Sequence, residues 1–335
     1  MKPFAAYSRR YERKKRLLKA RWRARDLTPV RDRTGRIRPG DILLFATIRN
    51  EASRLPFFLD YYRARGVDRF LIVDNGSTDG SADLLDAPDV SLWRAEASYR
   101  RANFGVHWIN ALARRYAVGH WILCVDPDEF FVYPHCDTRD VRVLTEHLDA
   151  GRRKSMGAIL LDLYGSGPIR ETRCAPGEDP VEAAPWFDPA NYFFRRNDRY
   201  RNLWIQGGPR LRAFFADRPA QAPALNKIPL VKWRSGACYV SSTHSLLPRG
   251  YNLTYDEWEG EKLTGALLHA KFLSTAAEKA EEELTRREHF AGGREYEAYA
   301  EAMRGNASLW TEHSVRYEGW RQLERLGLIA RGGWL

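Results

Sequence analysis

Two aspartates, Asp126 and Asp128, stand two residues apart just after an apolar run, Trp121-Ile122-Leu123-Cys124-Val125. In extended geometry alternate side chains project to one side, so both carboxylates are expected to face the same way. Pro127 stiffens the link between them. Carboxylates held close repel each other, and a cation between or beside them relieves that repulsion. Hard oxygen ligands select Mg²⁺ or Mn²⁺. Such an ion would bridge diphosphate oxygens and neutralise charge on a departing nucleoside diphosphate. Two acids at this spacing also occur on plain solvent-exposed turns. The buried strand before them and Phe130-Phe131-Val132 after them favour the metal reading.

A second polar cluster, Asp74-Asn75-Gly76-Ser77-Thr78-Asp79-Gly80, closes the apolar run Phe70-Leu71-Ile72-Val73. Its carboxylates, hydroxyls and backbone N–H groups suit a base and a ribose. It suits equally an Asx turn followed by a helix capped by Ser77 or Thr78. A third cluster, Thr47-Ile48-Arg49-Asn50-Glu51, follows Ile42-Leu43-Leu44-Phe45-Ala46. An acid that could take a proton from an attacking hydroxyl is sought at strand ends and loops. Asp162, just past Ala158-Ile159-Leu160-Leu161, comes first, then Asp256 and Glu257.

The elements that must carry these clusters alternate. A strand near 42–46, a helix near 54–65, a strand at 70–73, a helix near 103–118 and a strand at 121–125 follow with short connections. That order predicts an α/β fold with a parallel sheet, whose ligand sits at the carboxyl ends of the strands. All three clusters lie there. Residues 158–161, 231–233 and 238–240 read as further strands. Residues 165–200 read as an irregular excursion, 206–210 as a tight turn, and the tail from about 274 as charged helix.

The formal net charge of +11 is unevenly placed. Residues 1–40 hold 15 Lys/Arg and 3 Asp/Glu, which leaves 39 basic and 40 acidic residues for the rest. The body is therefore neutral, and no specific nucleic-acid partner is expected of it. Residues 5–25 read as a basic helix with Tyr7, Tyr11, Leu18 and Trp22 on one face. It suits either an anionic membrane surface or a solvated arm. Residues 26–40 read as a linker, with Pro29, Gly35, Pro39 and Gly40. Cys124, Cys136, Cys174 and Cys238 have neither disulfide-scaffold nor zinc spacing and read as reduced thiols. No apolar run of about 18 residues is present, nor a secretory-signal pattern after Met1-Lys2-Pro3-Phe4. A cytoplasmic protein is the expectation, peripheral on the inner face of the membrane where the helix takes the first of its two readings.

The clusters, in order and spacing over roughly 42–132, together with Asn103-Phe104-Gly105, resemble the GT-A fold glycosyltransferases. More narrowly they resemble the family-2-like bacterial sugar transferases. Gly207-Gly208-Pro209-Arg210, Lys227-Ile228-Pro229-Leu230-Val231-Lys232-Trp233 and Leu267-Leu268-His269-Ala270-Lys271-Phe272 are similar to later segments of that group. The resemblance implies a Rossmann-like, mostly parallel sheet flanked by helices over 41–272. Residues 41–135 would form the nucleotide-binding half and 136–272 the acceptor half, with 1–40 an arm and 273–335 a helical extension. Thr47, Arg49, Asn50, Glu51, Asp74, Asn75 and Asn103 would line the nucleotide-sugar pocket. Asp126 would contact the ribose or a metal-bound water, Asp128 would ligate Mn²⁺ or Mg²⁺, and His269 would complete the metal site, with His244 as competitor. Arg210 and Lys271 would meet phosphates. The implied activity is inverting transfer of a sugar, UDP-linked first, to a glycan, lipid-linked or protein hydroxyl. The Gln-x-x-Arg-Trp run and membrane spans of processive synthases are missing, so polymer extrusion is not expected. A sugar nucleotidyltransferase would want a glycine-rich first loop, and Thr47–Glu51 has no glycine. The non-enzymatic alternative is a membrane- or nucleic-acid-binding protein acting through its basic arm.

Overall fold

The computed structural model describes residues 3–255, 262–276, 279 and 307–334. Nine strands form the main path of one sheet: β1 (Thr28–Arg31), β2 (Leu43–Ile48), β3 (Arg69–Asp74), β4 (Val90–Arg94), β5 (Trp121–Cys124), β6 (Glu129–Val132), β7 (Ser155–Tyr164), β8 (Asn226–Lys232) and β9 (Gly265–Phe272). Their order is β1-β4-β3-β2-β5-β8-β7-β9-β6. Strands β4, β3, β2 and β5 are parallel neighbours. Strand β8 runs against both β5 and β7, so β7 points with β5, and β9 is parallel to β7. Only β1, β8 and β6 oppose the common direction. This is the mostly parallel α/β sheet that the GT-A resemblance implies.

The alternation of side chains along a strand divides the core. From β2 and the residue before it, Ile42, Leu44, Ala46 and Ile48 enter one apolar cluster, whereas Leu43 and Phe45 enter the other. Helix α2 (Leu55–Arg63) covers the first face with Leu55, Phe58, Leu59 and Tyr62. Helix α3 (Val106–Tyr116) covers the second with Trp108, Ile109 and Leu112. Both read as amphipathic helices because their apolar residues recur at spacings of three and four. With both faces covered, the sheet can present ligands only at its edges and strand ends.

Four parts of the chain differ from the sequence expectation. The basic helix forms, as α1 (Pro3–Arg23), and it lies against α3. The stretch 26–40 is no free linker. Its β1 extends the sheet beside β4, Asp26 Oδ2 accepts from Trp108 Nε1 at 3.1 Å, and Leu27 and Ile37 pack on the second core cluster. Pro29 lies inside this strand, and its four residues are too few for a periodic signal. The excursion at 165–200 ends in the first strand of an antiparallel hairpin, Tyr192–Asn197 with Asn202–Gly207. The expected turn at 206–210 is built on two glycines of positive φ, Gly207 (φ 143) and Gly208 (φ 64), the second opening helix α4 (Gly208–Phe214). Within the expected helical tail, the described residues include the short helix Trp320–Arg325.

Candidate active site

Register brings the polar residues together. In β9, His269 stands opposite Glu129 of β6 and opposite Asp162 of β7. Residues directly across a ladder share a face of the sheet. His269 Nδ1 lies 2.6 Å from Asp162 Oδ1, and Nε2 lies 3.3 Å from Asp128 Oδ2. Arg210 Nε donates to Asp162 Oδ2 at 2.7 Å. Asp162, Arg210 and His269 are 1%, 4% and 7% exposed, so these charges are compensated by one another rather than by water. Helix α4 supplies Arg210 from its first turn, just after the two glycines.

A second set lies beside the first. Lys227 Nζ donates to Glu129 Oε1 at 2.7 Å and lies 3.6 Å from Asp126 Oδ2. The Asp126 N–H donates to Glu129 Oε2 at 3.1 Å. Burial pushes the Glu129 carboxyl up, against the pull of Lys227. Burial alone would lower Lys227, but Glu129 and Asp126 hold it above the usual lysine range. The ammonium is therefore the firmly charged member. Glu129 and Lys227 were not singled out as site residues from sequence. A lysine inside the apolar strand Asn226–Lys232 was the available signal, since a buried lysine needs an acid.

Asp126 and Asp128 do not face the same way. They lie in a turn between β5 and β6, closed by Glu129 N–H donating to Asp126 O at 3.0 Å, so the alternation of an extended strand does not apply. The Asp126 side chain is 54% exposed, whereas Asp128 turns inward to His269. Burial alone would raise the Asp128 carboxyl, but the His269 ring and the Arg54 guanidinium hold it well below the usual range. Burial likewise opposes charge on His269, and Asp128 and Asp162 on either side raise it. Among the described residues, no group of three or more His, Cys, Asp and Glu side chains is arranged to hold a metal ion. The Asp128–His269 pair nevertheless fits half of a metal site. Adjacent ligands of an octahedral ion at about 2.1 Å stand about 3 Å apart. Asp162 on Nδ1 is the outer carboxylate that a ligating histidine commonly carries.

The loops that follow β2 and β3 are laced together. Arg49 Nη1 donates to the carbonyls of Asn75 and Gly76 at 2.7 and 2.9 Å. The Asn50 N–H donates to Ser77 Oγ at 3.0 Å, and the Thr78 N–H to Asn50 Oδ1 at 2.9 Å. Arg49 and Asn75, with Arg94 and Ser98, line an open cleft of about 370 Å³. Thr47 and Asp126 line a small cavity of about 30 Å³ under Tyr99 and Phe104. Glu51 accepts from Arg54 Nη1 at 2.9 Å and from Lys279 Nζ. Arg54 and Lys279 both bear on Asp128, and sequence reading gave neither a role.

Several expected roles change. Asp74 is 1% exposed and its Oδ1 accepts from both the Ser77 N–H and Oγ, so it shapes the Asx turn. Asp162 is buried with both oxygens engaged, so it cannot meet an acceptor hydroxyl and orients His269 instead. Arg210 meets Asp162 through Nε. Asn103 Nδ2 donates to the Val240 carbonyl at 3.1 Å. His244 Nδ1 lies 2.6 Å from the Asn226 carbonyl oxygen, and it is His269 that the fold brings to Asp128. Lys271 follows two residues after His269 in β9 and is half-buried. Asp256 and Glu257 lie outside the described residues.

No family model matches the chain, and no curated protein matches it. Solved structures similar to parts of it include S. aureus TarS residues 1–349 in complex with UDP, at 14% identity and TM-score 0.27, covering 37% of this chain and 36% of that one. A 4-diphosphocytidyl-2C-methyl-D-erythritol synthase matches at 12% identity and TM-score 0.29, over 66% of this chain and 95% of that one. The UTP-bound UGPase of Acinetobacter baumannii matches at 9% identity and TM-score 0.26, over 80% and 84%. The chain thus spans little more than a third of the TarS fragment. Likenesses this slight carry no argument about activity, which rests on the geometry of Asp126, Asp128, His269 and Asp162.

Proposed function

We propose that the chain is a metal-dependent, inverting glycosyltransferase that moves a sugar from a nucleotide-sugar to an acceptor hydroxyl. The observation that carries the proposal is the pairing of Asp128 with His269, backed by Asp162, at the carboxyl-end side of a mostly parallel sheet. Asp128 and His269 would hold Mn²⁺ or Mg²⁺. The bound ion would supply positive charge to the departing diphosphate. Asp126, exposed beside them, would accept from a ribose hydroxyl or a metal-bound water. Arg49 and Asn75, in the adjoining cleft, would hold the nucleotide. The acceptor oxygen forms its bond to the anomeric carbon as the bond to the diphosphate oxygen breaks, and that electron pair leaves with the diphosphate. The acceptor proton passes to a carboxylate, for which Asp256 and Glu257 remain the candidates.

Calorimetric titration of UDP and GDP into the full chain, with and without Mn²⁺, tests the proposal, with Asp128→Asn as the paired variant. Mn²⁺-dependent binding of one nucleotide, lost in the variant, is the expected result. Absence of binding by either nucleotide under every metal condition would sink it.

A further inference from the structure

Helix α1 presents two opposite faces. Glu12, Arg16, Leu17 and Ala20 face the body. Ala20 is fully buried and Leu17 packs on Cys238, Val240 and Leu247. Arg16 Nη1 donates to the Val240 carbonyl at 2.9 Å, and Glu12 Oε1 accepts from Tyr200 OH at 2.7 Å. On the opposite side Tyr7, Tyr11, Leu18 and Trp22 are 73%, 65%, 65% and 55% exposed. At 3.6 residues per turn these four fall within an arc of about 60°. The exposed cations Arg10, Lys14 and Arg21 flank the arc on one side, and Lys15 and Lys19 on the other. Glu12 is the sole acid between residues 1 and 25, and it is turned inward. The outward face therefore holds aromatic and aliphatic groups between two rows of positive charge, with no negative charge among them.

A second element, in contact with α1 through Glu12, also exposes aromatic and basic residues, with Asp198 at its tip. The hairpin Tyr192–Asn197 with Asn202–Gly207 touches the helix through its tip, where Arg199 Nη2 lies 3.4 Å from Glu12 Oε2 and Tyr200 reaches Oε1. Its first strand exposes Phe193 and Phe194, 42% and 56%, followed by the exposed Arg195 and Arg196. Successive strand residues point to opposite faces, so each face of the hairpin exposes one phenylalanine, and a flat partner could take one of the two. The far end of the same hairpin runs through Gly207 and Gly208 into α4, which places Arg210 against Asp162 in the candidate active site.

We propose that the outward face of α1, extended by the hairpin Tyr192–Gly207, docks on an anionic phospholipid bilayer. Tyrosine and tryptophan settle at the headgroup level, and flanking lysines and arginines keep their heads in the negative interface while their stems cover apolar surface. A bilayer takes both halves of this pattern. A nucleic-acid backbone would take the cations but leave Leu18 and Trp22 without a partner. The docking does not depend on the transferase reading. If both hold, the hairpin couples the membrane surface to the strand ends that would carry the acceptor, and a lipid-linked acceptor follows.

The test is cosedimentation of the full chain with phosphatidylcholine vesicles, with and without phosphatidylglycerol, alongside Tyr11→Ala/Trp22→Ala and Phe193→Ser/Phe194→Ser. All four residues are exposed, so thermal unfolding of the variants is expected to match the parent. The expected result is binding to the anionic vesicles only, weakened about tenfold or more by each double substitution, since binding scales with the apolar area inserted. No binding of the parent to anionic vesicles would overturn the proposal. Binding that both double variants retain in full, and that duplex DNA competes away, would also overturn it and identify a polyanion site instead. Nucleotide titration of the same preparations reads the transferase proposal separately.

Discussion

Asp162 shows how a residue's neighbours decide its chemistry. A carboxylate at a strand end could be a base, but here one oxygen accepts from Arg210 and the other meets the His269 imidazole. Burial alone would raise its pKa, while Arg210 and His269 hold it below the usual range, so it stays ionised where a base would need to gain a proton. Removing one member of a buried pair strands the other's charge and costs about 3 kcal/mol or more. Asp162→Asn is therefore expected to lower the urea-unfolding free energy by about that amount. Asp162→Asn/Arg210→Met is expected to recover a good part of the loss, because neither charge is then left alone. The single variant should also bind Mn²⁺ about tenfold more weakly by calorimetry, through the loosened His269 ring. Equal loss in the single and double variants would show that Arg210 does not depend on Asp162. An unchanged Mn²⁺ affinity would remove the positioning role.

Elements differ in how much of them sequence could disclose. Strands β2, β3 and β5 were legible because each is an apolar run ended by a polar cluster, and α2 and α3 because their apolar residues recur at helical spacing. The joining of β7, β8 and β9 was not legible, since His269 meets Asp162 only through a register between segments about a hundred residues apart. The docking of α1 was equally hidden, because its inward face carries Glu12 and Arg16, which read as surface groups until Tyr200 and the Val240 carbonyl are placed beside them. That docking carries a pH signature. Burial alone would raise Glu12, but hydrogen bonds from Tyr200 and Arg16 reverse this and hold it below its ordinary value. A depressed folded pKa means stabilisation present above the unfolded value of about 4.3 and lost as pH falls through the folded value. Parent and Glu12→Gln are thus expected to differ in Tm near neutral pH and to converge in acid. A difference that is constant across that range would show that the charge of Glu12 does not hold the helix.

At the scale of the molecule, the division into a dispensable arm and a catalytic body does not survive the packing. The charge asymmetry is real, with 15 of the 54 Lys/Arg in residues 1–40, and it suggested an appendage. Yet β1 covers the edge of β4, Asp26 satisfies the indole of the fully buried Trp108, and Ala20 and Leu17 close over apolar surface. Deleting residues 1–38 would leave β4 as a bare sheet edge, uncover part of the second core cluster and strand the Trp108 N–H. An exposed edge strand pairs with other chains, and an unpaired buried donor costs about 1–3 kcal/mol. The truncated chain 39–335 is therefore expected to unfold several degrees below the parent and to elute as aggregate on size exclusion. A monomeric truncation with the parent's Tm would restore the view of a detachable arm. The proposed membrane contact and the proposed nucleotide chemistry would thus share one folded unit, and substituting Tyr11 and Trp22 on the outward face of α1 should separate them where removing the helix would not.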